Sequence, residues 1–259
     1  MNIQLFFTSV LCLGFTYTSR GQTAATKQVN HQFQSWFSIN TTAQVTNKWG
    51  FIADAHIRRN NGIKDGSFYF LRGGLAYWLN PQLTAVVGYG HMWVTPSTPG
   101  WRYHAQENRL YQQIQYSQTL GKLKLLQRLR NEQRWQQIVN NDAPTGANRF
   151  TNRIRYLLSG TLTIHSNKRV PQLVVANEIC LHMGKDVVYN TFEQNRIFIG
   201  IRHTVSPTVS FDAGYMYLYQ QKLNGFQYDA NHTLRWFFYY TPKFKGRTSP
   251  STETIAGEE

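Results

Sequence analysis

Between positions 128 and 134 a charge recurs at every second residue: Arg128, Arg130, Glu132 and Arg134 are separated by Leu129, Asn131 and Gln133. Glu107 and Arg109 repeat that spacing upstream, Arg153 and Arg155 repeat it downstream, and Glu178 and Arg196 extend the set. A spacing of two puts side chains on one face of a pleated strand. A guanidinium is a planar fork of N–H donors that matches a carboxylate with two parallel hydrogen bonds. On neighbouring strands these ten residues would knit into an ionic ladder. Counting Arg58, Arg72, Arg202, Asp54 and Asp212 on the polar parity of other strands, ten arginines face five carboxylates. A surplus of that kind attracts anions in pores. The reading we favour from the sequence is that the charges pair and fill a narrow polar interior.

Catalysis is the other chemistry to weigh. A hydrolase would need a Ser nucleophile, a His base and an acidic or amide group converging on one spot. The available neighbours are His165 with Ser166, His203 with Ser206, His56 with Asp54 and His232 with Asn231, while His91 shares a parity with Tyr89 and Trp93. No Gly-x-Ser-x-Gly elbow, His-Glu-x-x-His pair, Gly-rich phosphate loop or metal-spaced cysteine set accompanies them. The expectation is a protein that is not an enzyme and uses neither cofactor nor metal. A lipid-modifying hydrolase is the lesser alternative.

The elements that must carry the ladder are strands. Across 107–135 each strand sets its apolar residues on one parity, Leu110, Ile114 and Tyr116 on the first and Leu123, Leu125, Leu129 and Trp135 on the second, and its charges on the other, with a hairpin turn at Leu120, Gly121 and Lys122. Eleven such segments are legible, at about 32–44, 50–59, 67–79, 83–94, 106–119, 122–136, 149–164, 171–182, 192–205, 208–220 and 228–241. They are long for a globular sheet and suit tilted transmembrane strands. Short connections at 45–49, 80–82, 120–121, 165–170 and 206–207 alternate with longer polar ones at 60–66, 95–105, 137–148, 183–191 and 221–227. That pattern fits periplasmic turns and outer loops. Keeping both termini in the periplasm requires an even count, so the expected fold is all-β: one antiparallel up-and-down transmembrane barrel of 12 strands (alternatively 10), with a first strand within 23–31 and an arginine/carboxylate-rich lumen. A cation introduced at Leu123 or Ile197 should then disturb the lipid face, and one at Gln113 should be better tolerated.

Composition agrees. Aromatic residues make up 15% of the chain, and no run is apolar enough for a spanning helix. The formal charge of +14 is scattered singly through strands instead of clustered, and no nucleic-acid motif occurs, which argues against nucleic acid as a partner. At the amino terminus the apolar stretch 5–15, followed by Ser19 and Gly21, reads as a signal peptide over 1–21 with cleavage ahead of Gln22. Removal of Cys12 with it leaves Cys180 as the single thiol. The barrel would occupy 22–244 and a disordered polar tail 245–259. The expected location is the outer membrane, with the lipid bilayer and small anions as partners and a monomeric state.

Five motifs together resemble the domain-of-unknown-function 2490 family. They are Glu107-x-Arg109, Arg128-x-Arg130-x-Glu132-x-Arg134, the stretch from Asn148 to Tyr156, Asn195-Arg196 with Gly200, and Gly214-Tyr215. The resemblance covers about 32–241. It implies an exported outer-membrane β-barrel of gram-negative bacteria of the Bacteroidetes type, and it implies no activity.

Overall fold

The structure, a computed structural model, describes residues 26–167 and 170–242. The expected signal peptide at 1–21 and tail at 245–259 lie outside the described residues. Eleven strands follow one another: β1 (Gln28–Gln44), β2 (Trp49–Asn60), β3 (Asp65–Trp78), β4 (Leu83–Val94), β5 (Ala105–Leu120), β6 (Leu123–Asn140), β7 (Ala143–Leu162), β8 (Gln172–Met183), β9 (Phe192–Ser206), β10 (Val209–Gln221) and β11 (Gln227–Tyr240). Each is antiparallel to its chain neighbours, and the sheet closes into a barrel.

The count is eleven, which corrects both twelve and ten. Gln28 to His31, part of the segment expected to form a separate first strand, are the start of β1 itself. β1 lies directly against β11 in parallel register, from Gln28 opposite Gln227 to Thr41 opposite Tyr240. The closure is therefore not antiparallel, and Gln28 and Tyr240 lie at opposite ends of the barrel. An odd strand count is compatible with closure because a parallel pair also satisfies its backbone hydrogen bonds. The loop pattern is corrected too. The expected long connection at 137–148 is drawn into the β6–β7 hairpin, closed by Asn141 and Asp142 at φ of 49° and 58°, as a type I′ turn requires. The connection between β7 and β8, at 163–171, is longer than expected.

The inside-outside rule of a soluble protein is reversed. Ile39 (60% exposed), Phe51 (56%), Ile114 (55%) and Ile199 (53%) face outward, and every strand contributes at least one such residue. Arg130, Arg155 and Asp212 face inward and are 0% exposed. A slip of one residue would swap the two sets on any strand, so the alternation fixes the register.

The interior is narrow enough that glycine decides what fits. Tyr111 lies within the lumen because Gly74 and Gly88 carry no side chain: a Cβ at either would come within 2.5 Å of its hydroxyl. Gly200 and Gly214 face each other across β9 and β10 and make room for the Phe198 ring in the same way. Towards the end of the barrel that carries the 121–122 turn, the lumen is apolar, with Leu126, Leu157, Val174, Phe198 and Phe237 in one cluster and Ile52, Ala76, Trp78 and Val86 in another.

Candidate functional site

All ten ladder residues face the lumen, and all are buried. β5 and β6 pair Arg109 with Arg134 and Gln113 with Arg130. β6 and β7 pair Glu132 with Arg153 and Arg130 with Arg155, and β8 and β9 pair Glu178 with Arg196. Two of these pairs, Arg109 with Arg134 and Arg130 with Arg155, set like charges in register, and carboxylates on the same and nearby strands separate them.

Glu107 accepts from Arg109 Nε and Arg134 Nε, both at 2.6 Å, and from Gln136 at 3.0 Å. Glu132 lies at the centre. It accepts from Arg153 Nε at 2.7 Å, Arg155 at 3.0 Å and Arg130 at 3.4 Å, with an Arg109 nitrogen 4.0 Å away. Glu178 accepts from Arg128 at 2.8 Å, Arg155 at 2.8 Å and Arg196 at 2.9 Å. Arg155 therefore ties Glu132 to Glu178, and no member of the set stands apart. Two smaller groups flank it: Asp54 with Arg72, and Asp212 with Arg202 at 2.6 Å, Arg235 at 3.3 Å and the Tyr239 hydroxyl at 3.0 Å.

Sequence reasoning missed several partners. Glu193 bonds Arg134 at 3.1 Å and Arg153 at 3.3 Å, and it lies 3.2 Å from His182 Nε2. Its parity points outward, but Cys180 pairs with Gln194 and Leu181 with Phe192, so Glu193 is the extra residue of a bulge. A bulge re-aims one side chain, and strict alternation cannot reveal it. Arg235 was hidden among aromatics on both faces of β11. Counting both, and Asp229, which pairs with Lys222, eleven lumenal arginines meet seven carboxylates among the described residues.

Neutral groups take up the surplus. The Arg58 guanidinium carbon sits 3.2 Å from the centre of the Trp36 ring and 4.3 Å from that of Phe68, and Arg235 stacks at 3.8 Å on Phe198 and 4.3 Å on Phe237. Cation–π contact with a desolvated guanidinium is worth roughly 2 kcal/mol. Gln113 Oε1 accepts two bonds from Arg130, at 2.9 and 2.7 Å. A cation at Gln113 would displace that acceptor, which argues against the expectation that it would be the better tolerated substitution. A lumenal cavity between Trp36, Glu178, Arg196 and Phe198 has a volume of about 10 Å³, room for one water.

The histidines are dispersed. His165 accepts from the Asn167 backbone N–H at 2.9 Å, His232 bonds the Tyr215 hydroxyl at 2.7 Å, His203 packs against Phe211, and His56 lies between Phe70 and Phe237. His91 bonds Asn108 on the outer wall. Among the described residues no group of His, Cys, Asp and Glu could hold a metal ion.

The profile of a family described as "Protein of unknown function (DUF2490)" matches residues 33–240. The chain belongs to this family. Among curated proteins nothing matches. A solved chain described as a NanC porin in a rhombohedral crystal form is 14% identical, with a TM-score of 0.45 over 76% of this chain and 92% of that chain, a likeness too slight to bear on function. The motifs that carry the DUF2490 resemblance have places in the barrel: the arginine and glutamate positions build the central network, and Gly200 and Gly214 seat Phe198.

Proposed function

We propose that this DUF2490 protein is an outer-membrane barrel with a closed lumen, a structural element of that membrane instead of a pore. One observation carries the reading: apolar side chains are exposed on the outside of every strand while the charged side chains inside are buried almost completely. In water the outer belt would drive aggregation. In a bilayer it is the surface the solvent requires. Polar groups on the outer wall bond one another, as groups facing hydrocarbon must. Gln112 links to Asn131 and Gln133 at 3.1 Å, and Asn177 links to Asn195 at 3.2 Å.

The closed lumen argues against the anion passage that the arginine surplus first suggests. Arginines lining a water-filled channel would be wet, and Arg130 and Arg155 are not. The signal-peptide reading of 1–21 supports export, the barrel is taken to act as a monomer, and no catalysis is assigned to it. Purified protein in planar bilayers tests the reading: it should give no steady conductance, and it should fractionate with the outer membrane and migrate heat-modifiably on gels. A stable, chloride-selective conductance would overturn the closed barrel in favour of a pore.

A further inference from the structure

Small residues interrupt the outer belt on the wall formed by β1 to β4, where a groove of about 680 Å³ opens outward. The strand registers set Thr41, Ala53 and Gly73 side by side, with Ala55 in the next row, between Ile39 and Leu71. Flanking side chains stand well clear of the wall, Ile39 at 60% exposure and Leu71 at 54%.

The groove has a polar end. His91 and Tyr89 line it, and both bond Asn108 on β5: Asn108 Oδ1 accepts from the Tyr89 hydroxyl at 2.5 Å and from His91 Nδ1 at 2.7 Å. With Oδ1 accepting, the ring donates through Nδ1, and Nε2 is its acceptor when the ring carries one proton. One row nearer the barrel end that carries the 95–104 loop, Trp93 lies opposite Tyr69 and packs edge-on against His91 at 4.4 Å. Trp and Tyr mark the depth of the headgroups. His91 therefore sits just beneath that level, and the small-residue floor runs from it towards the hydrocarbon.

We propose that this groove is a lipid site: it takes one acyl chain of a phospholipid over Ala53, Ala55 and Gly73, and His91 Nε2 accepts a hydrogen bond from an ammonium or hydroxyl of the headgroup. The proposal rests on the membrane reading above. It gives a role to the oriented His–Asn–Tyr group at the end of this groove. A phosphatidylethanolamine head has N–H groups to donate and a phosphatidylcholine head has none, so the site distinguishes them.

The test uses the full barrel in nanodiscs of equimolar phosphatidylethanolamine and phosphatidylcholine, transferred to detergent and examined by native mass spectrometry for retained lipid. Wild type should retain one phosphatidylethanolamine in preference to phosphatidylcholine. His91→Ala should reduce that preference roughly fivefold, the factor set by one hydrogen bond. Gly73→Phe should abolish retention, because a Cβ at Gly73 meets nothing nearer than 4.0 Å and the ring can fill the groove without strain. Ala55→Phe, in the adjacent row, is the second filling variant should Gly73→Phe fail to assemble. Equal retention of the two lipids by wild type, or undiminished retention by a filled variant that assembles, would overturn the proposal. Failure of the membrane reading would show separately, as wild-type protein absent from the outer-membrane fraction.

Discussion

Replacing Glu132 by Ala removes the centre of the lumenal network. In the structure this carboxylate bonds Arg153, Arg155 and Arg130 and lies 4.0 Å from Arg109. Its loss does not strip every partner: Arg155 keeps Glu178, Arg153 keeps Glu193 and Arg130 keeps Gln113. What is lost is the negative charge separating four guanidiniums in a region with almost no water. Removing one partner of a buried ion pair costs roughly 3–5 kcal/mol. The retained partners should hold Glu132→Ala near the lower end of that range, and Glu132→Gln, which keeps a neutral acceptor, below it. The assay is urea unfolding in detergent micelles followed by tryptophan fluorescence. Because the site is dry, raising the salt should not restore the lost stability, whereas in a wet lumen ions would screen the arginines. A Glu132→Ala barrel with the wild-type midpoint, or one rescued by salt, would refute the reasoning.

Other substitutions separate the two faces. Ile197→Arg puts a cation on the lipid side and should destabilise the inserted barrel by roughly 2–4 kcal/mol if it lies near the midplane, measured as the same unfolding midpoint in lipid. Gln113→Arg should also impair assembly, because it replaces the acceptor of two Arg130 bonds with a second guanidinium; wild-type heat-modifiable migration would contradict this. Trp36→Ala removes the ring against which Arg58 and Arg196 stack and leaves a cavity, at a cost of roughly 3–5 kcal/mol by the same unfolding assay.

The parity of β5, β6 and β7 was fully legible in the sequence, because Leu110, Ile114 and Leu129 alternate with charges that have no other place to go. That identified eight of the ten residues which the structure brings together; Glu178 on β8 and Arg196 on β9 complete the set. Three features resisted the same logic. Trp36, Phe70, Tyr111, Phe198 and Phe237 face inward, and a rule that reads apolar as lipid-facing cannot see a ring whose partner is a guanidinium. Glu193 turns inward through a bulge, which breaks the period of two at the residue that matters. The strand count failed because symmetry of the termini was assumed, whereas β1 and β11 close the barrel in parallel. The groove at Gly73 was equally invisible, since it depends on small residues from separate strands falling into adjacent rows.

Lipid should lie outside the barrel and almost no water inside it. Single cysteines in a background without native thiols, probed in proteoliposomes with a water-soluble and a lipid-soluble maleimide, test both halves together. Cysteine at Val175 or Ile199, exposed on the outer wall, should react with the lipid-soluble reagent alone, and cysteine at Ala176 or Thr151, buried inside, should react with neither. Labelling of the Ala176 or Thr151 positions by the water-soluble reagent would contradict the closed lumen, and its reaction at Val175 or Ile199 would contradict the membrane.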